Sequence, residues 1–328
     1  MNDIITLDYG SGGKKTSELI EKIIVPAMDS EALSVLGDAA VMKDLVFSTD
    51  SFVVSPYFFP GGDIGKLSVC GTVNDVSVSG GNPKYLSLSF IIEEGMPSAD
   101  LERIVCSIAD TAKAAGVKIV TGDTKVVEKG RGDGIYINTA GIGFLAHPGL
   151  GADKIKTGDS VMVSGTVGDH GAAVMLARNE NLVQGNLKSD CAPLNKLTSA
   201  MFELGDALRV MRDPTRGGLA TTLNEFIEGT GLGIELSEKA VPVDSAVQSA
   251  CDILGLDPMY CACEGRLIAI VSPEAEEKAL EILKSFNKDA AVIGKVSEAH
   301  PGKLTIKTPF GGSRIAAKLT GAQLPRIC

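Results

Sequence analysis

The chain has 328 residues, of which 44% are hydrophobic and 22% are charged, and these values describe a globular protein long enough for two domains. Its formal net charge of -10 disfavours general binding to nucleic acid or to anionic lipid. The sequence has no apolar run near the roughly 20 residues that cross a bilayer, and residues 1–5 do not resemble a signal peptide. We therefore expect a cytoplasmic protein that binds neither nucleic acid nor membrane.

Hydrophobic periodicity predicts a mixture of helices and strands in the first half of the chain. The clearest helix follows Pro97, where apolar residues recur at helical spacing from residue 101 to residue 112. The other predicted elements are a helix at 16–28, a strand at 46–49, a helix at 64–78, and strands at 85–92, 117–121 and 135–145. A segment rich in Gly and Pro, 147–153, is the best boundary between domains.

The second half of the chain has the same mixed character. Its predicted elements are a strand at 160–165, a helix at 171–179, helix and strand pairs near 218–236 and 243–271, a helix at 274–286, and strands near 290 and 304. Together the two halves predict an α+β fold of two domains with mixed sheets. We expect these domains at 1–150 and 151–312, followed by a flexible tail at 313–328.

The chain ends on a thiol, Cys328. Gly321 gives the segment before it backbone freedom and Pro325 stiffens it, which favours a short mobile arm over a docked strand. Taken in isolation, the tail is better explained as a frayed end that happens to finish in cysteine, and prenylation is excluded because its signal places the cysteine four residues from the end. The other six cysteines lack zinc-site spacing and are expected to be mostly reduced core residues.

Several carboxylates adjoin small or polar residues at predicted strand ends, or lie on a predicted helix. The pairs are Gly37-Asp38, Thr49-Asp50, Asn74-Asp75, Gly122-Asp123 and Arg212-Asp213. One such pair is usually a turn, but several in one domain favour a site for metal and phosphate, and Mg²⁺ prefers such hard oxygen ligands. The predicted metal ligands are Asp38, Asp50, Asp75 and Asp123, with Thr49, Asn74 and Gly122 beside the nucleotide. Asp213 is the weakest candidate, because it lies in the second domain and can simply fix its own turn.

Two loops rich in glycine precede predicted helices. Free amides of Gly10–Gly13, and of the loop 59–66, would meet a phosphate at the positive end of a helix, and Lys66 adds a cation. The spacing of a Walker loop is absent. As patterns alone, both segments are better explained as ordinary loops.

Nine strings, taken in chain order, resemble the HypE family of hydrogenase maturation proteins. They are GSGG, FFPGGDIGKLSVCGTVNDVSVSGG, IVTGDTKVV, INTAGIG, VSGTVGDHG, RDPTRGG, GIELSE, ACEGRL and the terminal PRIC. That family belongs to the superfamily of aminoimidazole ribonucleotide synthetase, selenophosphate synthetase and thiamine-monophosphate kinase. The resemblance covers essentially the whole chain, and TGDTKVV together with a terminal PRIC is its most specific part.

The resemblance implies the aminoimidazole ribonucleotide synthetase fold, a homodimer formed through the N-terminal domains, and ATP with Mg²⁺ bound in a cleft. In the family, the carbamoyltransferase HypF places a carbamoyl group on the terminal thiol, and ATP drives its dehydration to a thiocyanate. The cyano group then passes through a HypC-HypD scaffold complex towards the iron of a nickel-iron hydrogenase. The same functions are expected here.

The matching strings imply three catalytic residues. Cys328 carries the carbamoyl group, Glu264 is the base, and Lys125 is the cation that orients the thiocarbamate. An amide oxygen is a poor leaving group, so dehydration requires a phosphate ester and a base for the N–H protons. Without the family, Glu264 would be interpreted as a surface glutamate and Lys125 as a solvated lysine.

The chain departs from the family at two positions. Tyr9 stands where many relatives have His, and Cys263 stands where they have Asn. The second lies beside the expected base, so a hydrogen bond from that Asn is missing or weakened here.

Two other functions stay open at this point. One is a non-catalytic carrier whose tail docks on a partner, although Lys125 and Glu264 argue against it. The other is a superfamily sibling that activates a small molecule, such as a selenophosphate synthetase. Its nucleophile is expected near the N-terminus, where this chain has no cysteine before Cys70.

Overall fold

The computed structural model describes residues 4–28, 30–34, 36–178, 187–321 and 326–328. Within them the chain forms two large sheets, one before residue 150 and one after it, together with helices and a short two-stranded hairpin. The predicted α+β fold with mixed sheets is therefore confirmed. Among the helices described, none is long and apolar enough to cross a membrane. The predicted stiffening role of Pro325 lies outside the described residues.

The first sheet contains five strands in the order β1-β2-β7-β5-β6. Their bounds are β1 Ala40–Met42, β2 Leu45–Phe52, β5 Gly81–Glu93, β6 Lys118–Val127 and β7 Ile135–Leu145, while β3 Phe58–Phe59 and β4 Gly62–Asp63 form the hairpin. All pairs in the five-stranded sheet are antiparallel except β5 with β6. Two helices belong to this half, α2 (Ile64–Val78) and α3 (Ser98–Ala115). The long strand β6 is an edge of the sheet.

Helix α2 lies at the centre of the molecule. It begins where the Asp63 carboxylate accepts the N–H groups of Gly65 and Lys66 at 2.8 and 3.0 Å, which caps the helix. Thirteen of its fifteen residues are buried, as expected of a helix covered on all sides. The helix packs on the first sheet and on β9 (Leu208–Arg212) of the second domain. Residues near its C-terminal end therefore lie between the domains.

The second sheet contains seven strands in the order β14-β13-β10-β12-β8-β11-β9. The remaining bounds are β8 Ser160–Val163, β10 Gly233–Ser237, β11 Ile268–Val271, β12 Ala291–Ser297, β13 Leu304–Lys307 and β14 Ser313–Ile315. Every residue of β8 and β11 is buried, which places these strands in the core. The helices of this half are α4 Asp169–Arg178, α5 Asn195–Met201, α6 Gly218–Ile227, α7 Ser245–Leu254 and α8 Glu276–Phe286.

One apolar core extends across both domains. It joins side chains of the first sheet and α2 to residues of α4 and α7, and it includes Ile327 near the end of the chain. Ile327 is only 2% exposed. The end of the tail is therefore anchored in the same core that holds the two domains together.

Three predicted boundaries are corrected by the structure. The strand predicted at 117–121 continues to Val127, so Gly122 and Asp123 lie inside β6 and not at a strand end. The single helix predicted at 16–28 is in fact three short segments: the α-helix α1 (Lys14–Leu19), a π-helical turn at Ile20–Ile24 and a 3₁₀ turn at Val25–Ala27. Pro26 lies in the last of these and lacks an N–H donor. The tail predicted from residue 313 begins later, because β14 pairs with β13.

An N-terminal arm, defined here as residues 4–28, crosses the base of the tail. The amide of Lys14 donates to the carbonyl of Leu319 at 2.9 Å, and a Cβ at Gly13 would lie 2.4 Å from that oxygen. Lys318 contacts Ser17 of the arm at 3.0 Å and Glu225 of α6 at 3.0 Å. The N-terminal arm thus contacts the base of the tail, and Lys318 also links that base to α6 of the second domain.

Candidate active site

Three carboxylates from distant parts of the sequence meet between the domains. Asp38 precedes β1, Asp75 lies on α2, and Asp213 directly follows β9, and a carboxylate oxygen from each lies within 4.8 Å of the others. Asp75 accepts a hydrogen bond from Ser48 at 2.7 Å. The Asp213 Oδ2 atom is buried and has no partner among the described residues.

The cluster of Asp38, Asp75 and Asp213 carries more negative charge than its surroundings balance. Arg212 contacts Asp38 at 2.7 Å, but it also contacts Glu225 at 2.8 Å. Burial, followed by repulsion from the other carboxylates, raises the pKa of Asp75 well above its usual range and the pKa of Asp213 to about 8. Close carboxylates with an orphaned buried oxygen fit a divalent cation of the Mg²⁺ type.

Asp50 belongs to the edge of this cluster. In register it stands opposite Thr139, whose hydroxyl contacts Thr72 on α2, so Asp50 lies on the side of the sheet that faces α2. Its charge helps to raise the pKa of Asp75 and of Asp213. The structure thus brings Asp38, Asp75 and the weakest sequence candidate, Asp213, together, with Asp50 nearby.

Asp123 does not join these carboxylates within one chain. It stands opposite Ser89 on β5, which stands opposite Asn138 on β7, and Asn138 donates to the exposed Ser51 of β2 at 3.0 Å. This row lies on the face that α2 does not cover, called here the open face. The Asp123 side chain is 60% exposed and pairs with Lys125.

Lys125 and Thr49 lie on the same open face. Lys125 is two residues from Asp123 along β6 and its side chain is 66% exposed, while Thr49 is two residues from Ser51 along β2. A side chain at Gly122 would point away from the open face, and its Cβ would lie 2.1 Å from the carbonyl oxygen of Leu88. Its lack of a side chain is therefore required by the sheet itself.

Several amides of the two glycine-rich loops already donate to groups of the protein itself. Gly12 donates to Thr16 at 2.9 Å, and Asp63 takes the first amides of α2. Lys66 donates to the carbonyl of Gly61 at 3.0 Å. These contacts fix the starts of the two helices and leave fewer amides for phosphate than the sequence predicts.

Glu264 is buried in the interior and is not a surface glutamate. It is 1% exposed, and its Oε1 atom has no hydrogen-bond partner among the described residues. The Asp190 carboxylate accepts the N–H groups of Glu264 and Gly265 at 3.2 and 3.1 Å, and the Asn74 side chain donates to the Glu264 carbonyl at 3.2 Å. Burial, then the charges of Asp213 and Asp190, raises the pKa of Glu264 well above its usual range.

Asn74 serves this arrangement directly. Besides its contact with Glu264, its amide donates to the Ala192 carbonyl at 3.2 Å and its oxygen accepts the Leu194 N–H at 2.8 Å. The side chain thus ties α2 to two segments of the second domain. Cys263, at the position where relatives have Asn, accepts the N–H of Gly168 at 3.1 Å.

Cys328 is docked in this structure, and its thiol lies within electrostatic range of Glu264. The backbone N–H of Val53 donates to the Cys328 carbonyl oxygen at 3.1 Å. Burial raises the pKa of the Cys328 thiol to about 12; Arg216 opposes this shift, while Glu264 and nearby aspartates add to it. The charge of Arg216 in turn acts on Cys328, Asp50, Glu264 and Asp75. The positive charge of Arg216 is therefore shared by the thiol, the expected base and the carboxylates.

Sequence reasoning missed Arg212 and Arg216, although both flank Asp213 in the string RDPTRGG. It also missed His170, which is fully buried and contacts the Ile327 carbonyl oxygen at 2.5 Å. A cavity of about 460 Å³ opens beside Asp38 and Arg212. Residues of both domains line it, so the site lies at their junction.

Comparisons with known proteins identify both domains and relatives of full length. Family models match the AIR synthase related protein N-terminal domain at residues 36–145 and the corresponding C-terminal domain at residues 156–307. The carbamoyl dehydratase HypE of Azotobacter vinelandii is 46% identical over 335 residues, covering 100% of this chain and 98% of that protein. The carbamoyl dehydratase HypE of Escherichia coli strain K12 is 44% identical, covering 100% of both chains.

Solved structures give the same relationship. A crystal structure of HypE in complex with ATP aligns with a TM-score of 0.84 at 44% identity, covering 99% of this chain and 100% of that one. A crystal structure of a HypE-HypF complex aligns with a TM-score of 0.87 at 49% identity, covering 92% of this chain and 99% of that one. On the shared domains, the full-length identity and the shared fold, the chain belongs to the HypE carbamoyl dehydratase family of the AIR synthase related proteins.

Proposed function

We propose that this protein is an ATP-dependent dehydratase that converts a carbamoyl group on its own Cys328 to a thiocyanate. The observation that carries the proposal is the docked thiol, which lies within the electrostatic reach of Glu264, Arg216 and the carboxylate cluster. Relatives of full length are named carbamoyl dehydratases, and one related structure contains ATP. Family membership favours this activity over that of a sibling enzyme acting on a free small molecule.

The carboxylate cluster is the proposed site of Mg²⁺. Asp38, Asp75 and Asp213 would hold the ion, which when bound neutralises phosphate charge on ATP. Asp50 and Arg216 adjoin the cluster, and Arg216 offers positive charge where the phosphoryl group would be transferred. The cavity beside Asp38 has a size typical of small-molecule sites and is proposed to take part of the nucleotide.

The chemistry follows from the groups around the thiol. The carbonyl oxygen of the thiocarbamate attacks the γ-phosphorus of ATP, the bond to ADP breaks, and the nitrogen releases one proton to solvent. The C–O bond then breaks with loss of phosphate while the remaining N–H proton passes to Glu264, which leaves S–C≡N. Burial and neighbouring carboxylates make the Glu264 carboxylate a stronger base than usual, and its orphaned oxygen accepts that proton.

We also propose a homodimer in which the open face is covered by a second copy. Large apolar side chains are exposed there, including Phe47 at 37%, Tyr85 at 43% and Phe144 at 50%. Next to them, β6 is an unpaired edge strand of ten residues. An exposed apolar face beside an open edge favours association, and a twofold dimer is the commonest form.

In such a dimer Lys125 serves the partner's site. Lys125, Asp123 and Thr49 lie on the open face, away from Glu264 of their own chain. A second copy packed on this face would receive all three, with Lys125 orienting the thiocarbamate and Asp123 and Thr49 near the metal and nucleotide. A monomeric mass in sedimentation at micromolar concentration contradicts this assembly.

The proposed partners are a carbamoyltransferase of the HypF type and a recipient of the HypC-HypD type. A related HypE has been crystallised with HypF. Docked Cys328 is partly buried, so both exchanges require the tail to leave the position seen here. The predicted mobility of the tail therefore stays part of the proposal.

The decisive experiment measures intact mass after incubation with the carbamoyltransferase, carbamoyl phosphate and ATP. We expect Cys328 to gain the mass of a carbamoyl group and then to lose the mass of one water. Glu264→Gln keeps the volume and loses the proton acceptor, so the carbamoylated form should accumulate. Glu281→Gln, on the exposed side of α8, is the matched control. Normal nitrile formation by Glu264→Gln removes Glu264 as the base, and an unmodified wild-type Cys328 overturns the function.

A further inference from the structure

The docked tail is held through its backbone by groups from both domains. The Val53 N–H donates to Cys328 at 3.1 Å and the Ser55 N–H donates to the Arg326 carbonyl at 3.3 Å, both from the segment after β2. Arg178, the last residue of α4, also donates to the Arg326 carbonyl. The remaining carbonyl, that of Ile327, contacts the ring of His170 at 2.5 Å. Each of the last three residues thus has a donor for its backbone oxygen.

The ring of His170 is prepared for this contact by the protein around it. A carbonyl can only accept, so the Nε2 atom of His170 carries the proton. The Nδ1 atom then accepts from the Ser189 hydroxyl at 2.8 Å, and the Ser189 oxygen accepts the Cys191 N–H at 3.0 Å. The Phe59 ring packs at a right angle to the imidazole with centroids 5.3 Å apart. Burial lowers the pKa of His170 to about 4, so the ring stays neutral near pH 7.

We propose that His170 is a positioning residue that holds the tail inward by donating its Nε2–H to the Ile327 carbonyl. The inference rests on the proposed function, because it gives the inward position a role in dehydration. His170 is fully buried, so departure of the tail removes the only acceptor described for this donor. The Nε2–H group then has no hydrogen bond until a water molecule reaches it. A buried donor without an acceptor is unfavourable by an amount that corresponds to roughly a tenfold change in population.

His170 acts on Cys328 through its neighbour and touches no reacting group. Ile327 is 2% exposed, so the hydrogen bond and the apolar side chain fix the residue next to the thiol together. The contact is to backbone, which makes it independent of whether Cys328 carries a thiol, a carbamoyl or a cyano group. The same bond can therefore support every inward step, while its loss favours every outward step.

The test follows alkylation of Cys328 by iodoacetamide in the full chain, with each cysteine quantified by peptide mass spectrometry. Exposed Cys106 on α3 is the internal reference. His170→Phe removes the donor, and the Cys328 rate should rise about tenfold relative to Cys106. His170→Gln places an amide N–H near the Nε2 position and should stay close to wild type. His147→Gln, which lies against Phe202 instead, should change nothing.

A second readout separates positioning from general damage. In His170→Phe, carbamoylation by the partner enzyme should be retained or faster, while dehydration of the loaded Cys328 becomes slower. Ser189→Ala, which keeps the ring but removes its Nδ1 partner, should give a smaller change in the same direction. Equal Cys328 alkylation in wild type and His170→Phe overturns the inference. A matching rise in the alkylation rate of Cys106 also overturns the inference, as does a His170→Gln variant that behaves like His170→Phe. Alkylation needs neither ATP nor carbamoyl phosphate, so its outcome is independent of the proposed function.

Discussion

Asp213→Asn should make the metal-free protein more stable near neutral pH, although it removes a proposed metal ligand. The pKa of buried Asp213 is raised from 3.8 to about 8 by burial and by Asp38. The folded state therefore holds a proton that the unfolded state releases, and stability falls as the pH rises from about 4 to about 8. At pH 7 this cost is on the order of 4 kcal/mol, from about 3 pKa units at 1.36 kcal/mol each. An amide has no proton to lose and escapes it.

The assay is denaturant unfolding in EDTA across this pH range, repeated with saturating magnesium chloride. Wild type should lose stability with rising pH more steeply than Asp213→Asn, and Asp110→Asn, an exposed change on α3, should follow wild type. Magnesium should stabilise wild type more than Asp213→Asn, because a ligand bound only by the folded state adds to its stability. Parallel pH curves, or an equal gain from magnesium, would refute the carboxylate cluster as a strained metal site.

Three further outcomes are expected. Asp75→Asn removes one negative ligand and should raise the magnesium concentration needed for ATP hydrolysis, whereas unchanged activity at limiting and saturating magnesium excludes Asp75 from the site. Cys328→Ser should abolish the nitrile product yet bind ATP normally in calorimetry, since the nucleotide ligands lie elsewhere; lost binding would contradict this. Mixed dimers of Lys125→Met and Cys328→Ser chains should recover about a quarter of wild-type product, because half of the dimers then hold one complete site. No recovery argues against supply of Lys125 by the partner.

Much of the fold was predictable because its elements have strong local signals. The bounds predicted for α2 and β7 coincide with those observed, since Asp63 caps the helix and β7 is bounded by Gly134 and the segment that follows residue 145. Strand β6 was predicted too short, because its second half is polar and exposed and lacks the apolar pattern of a buried strand. The elements α5 and β9 were not predicted, because neither is long enough to show a clear hydrophobic periodicity.

The site was less predictable than the fold, since its geometry depends on contacts distant in sequence. Asp213 could not be ranked from RDPTRGG alone, because only the packing of α2 against β9 brings it to Asp75. Asp123 seemed equivalent to Asp75 in sequence, yet the side-chain alternation of β6 places it on the open face. The role of Glu264 came only from the resemblance and its burial was not predicted, while His170 carried no signal except its place in VSGTVGDHG.

The contact of the N-terminal arm with Leu319 fixes how much chain is available for the outward movement of Cys328 that we propose. Lys14 and Gly13 hold the chain at Leu319, so the pivot of the proposed movement lies near Gly321, seven residues before Cys328. A fully extended chain of that length spans about 25 Å. A carbamoyl donor and a cyanide acceptor must each bring a reactive centre inside that radius, which makes closeness of approach, and not only affinity, a condition for exchange. Lengthening the segment after Gly321 should relax that condition, while detaching the arm would move the pivot itself.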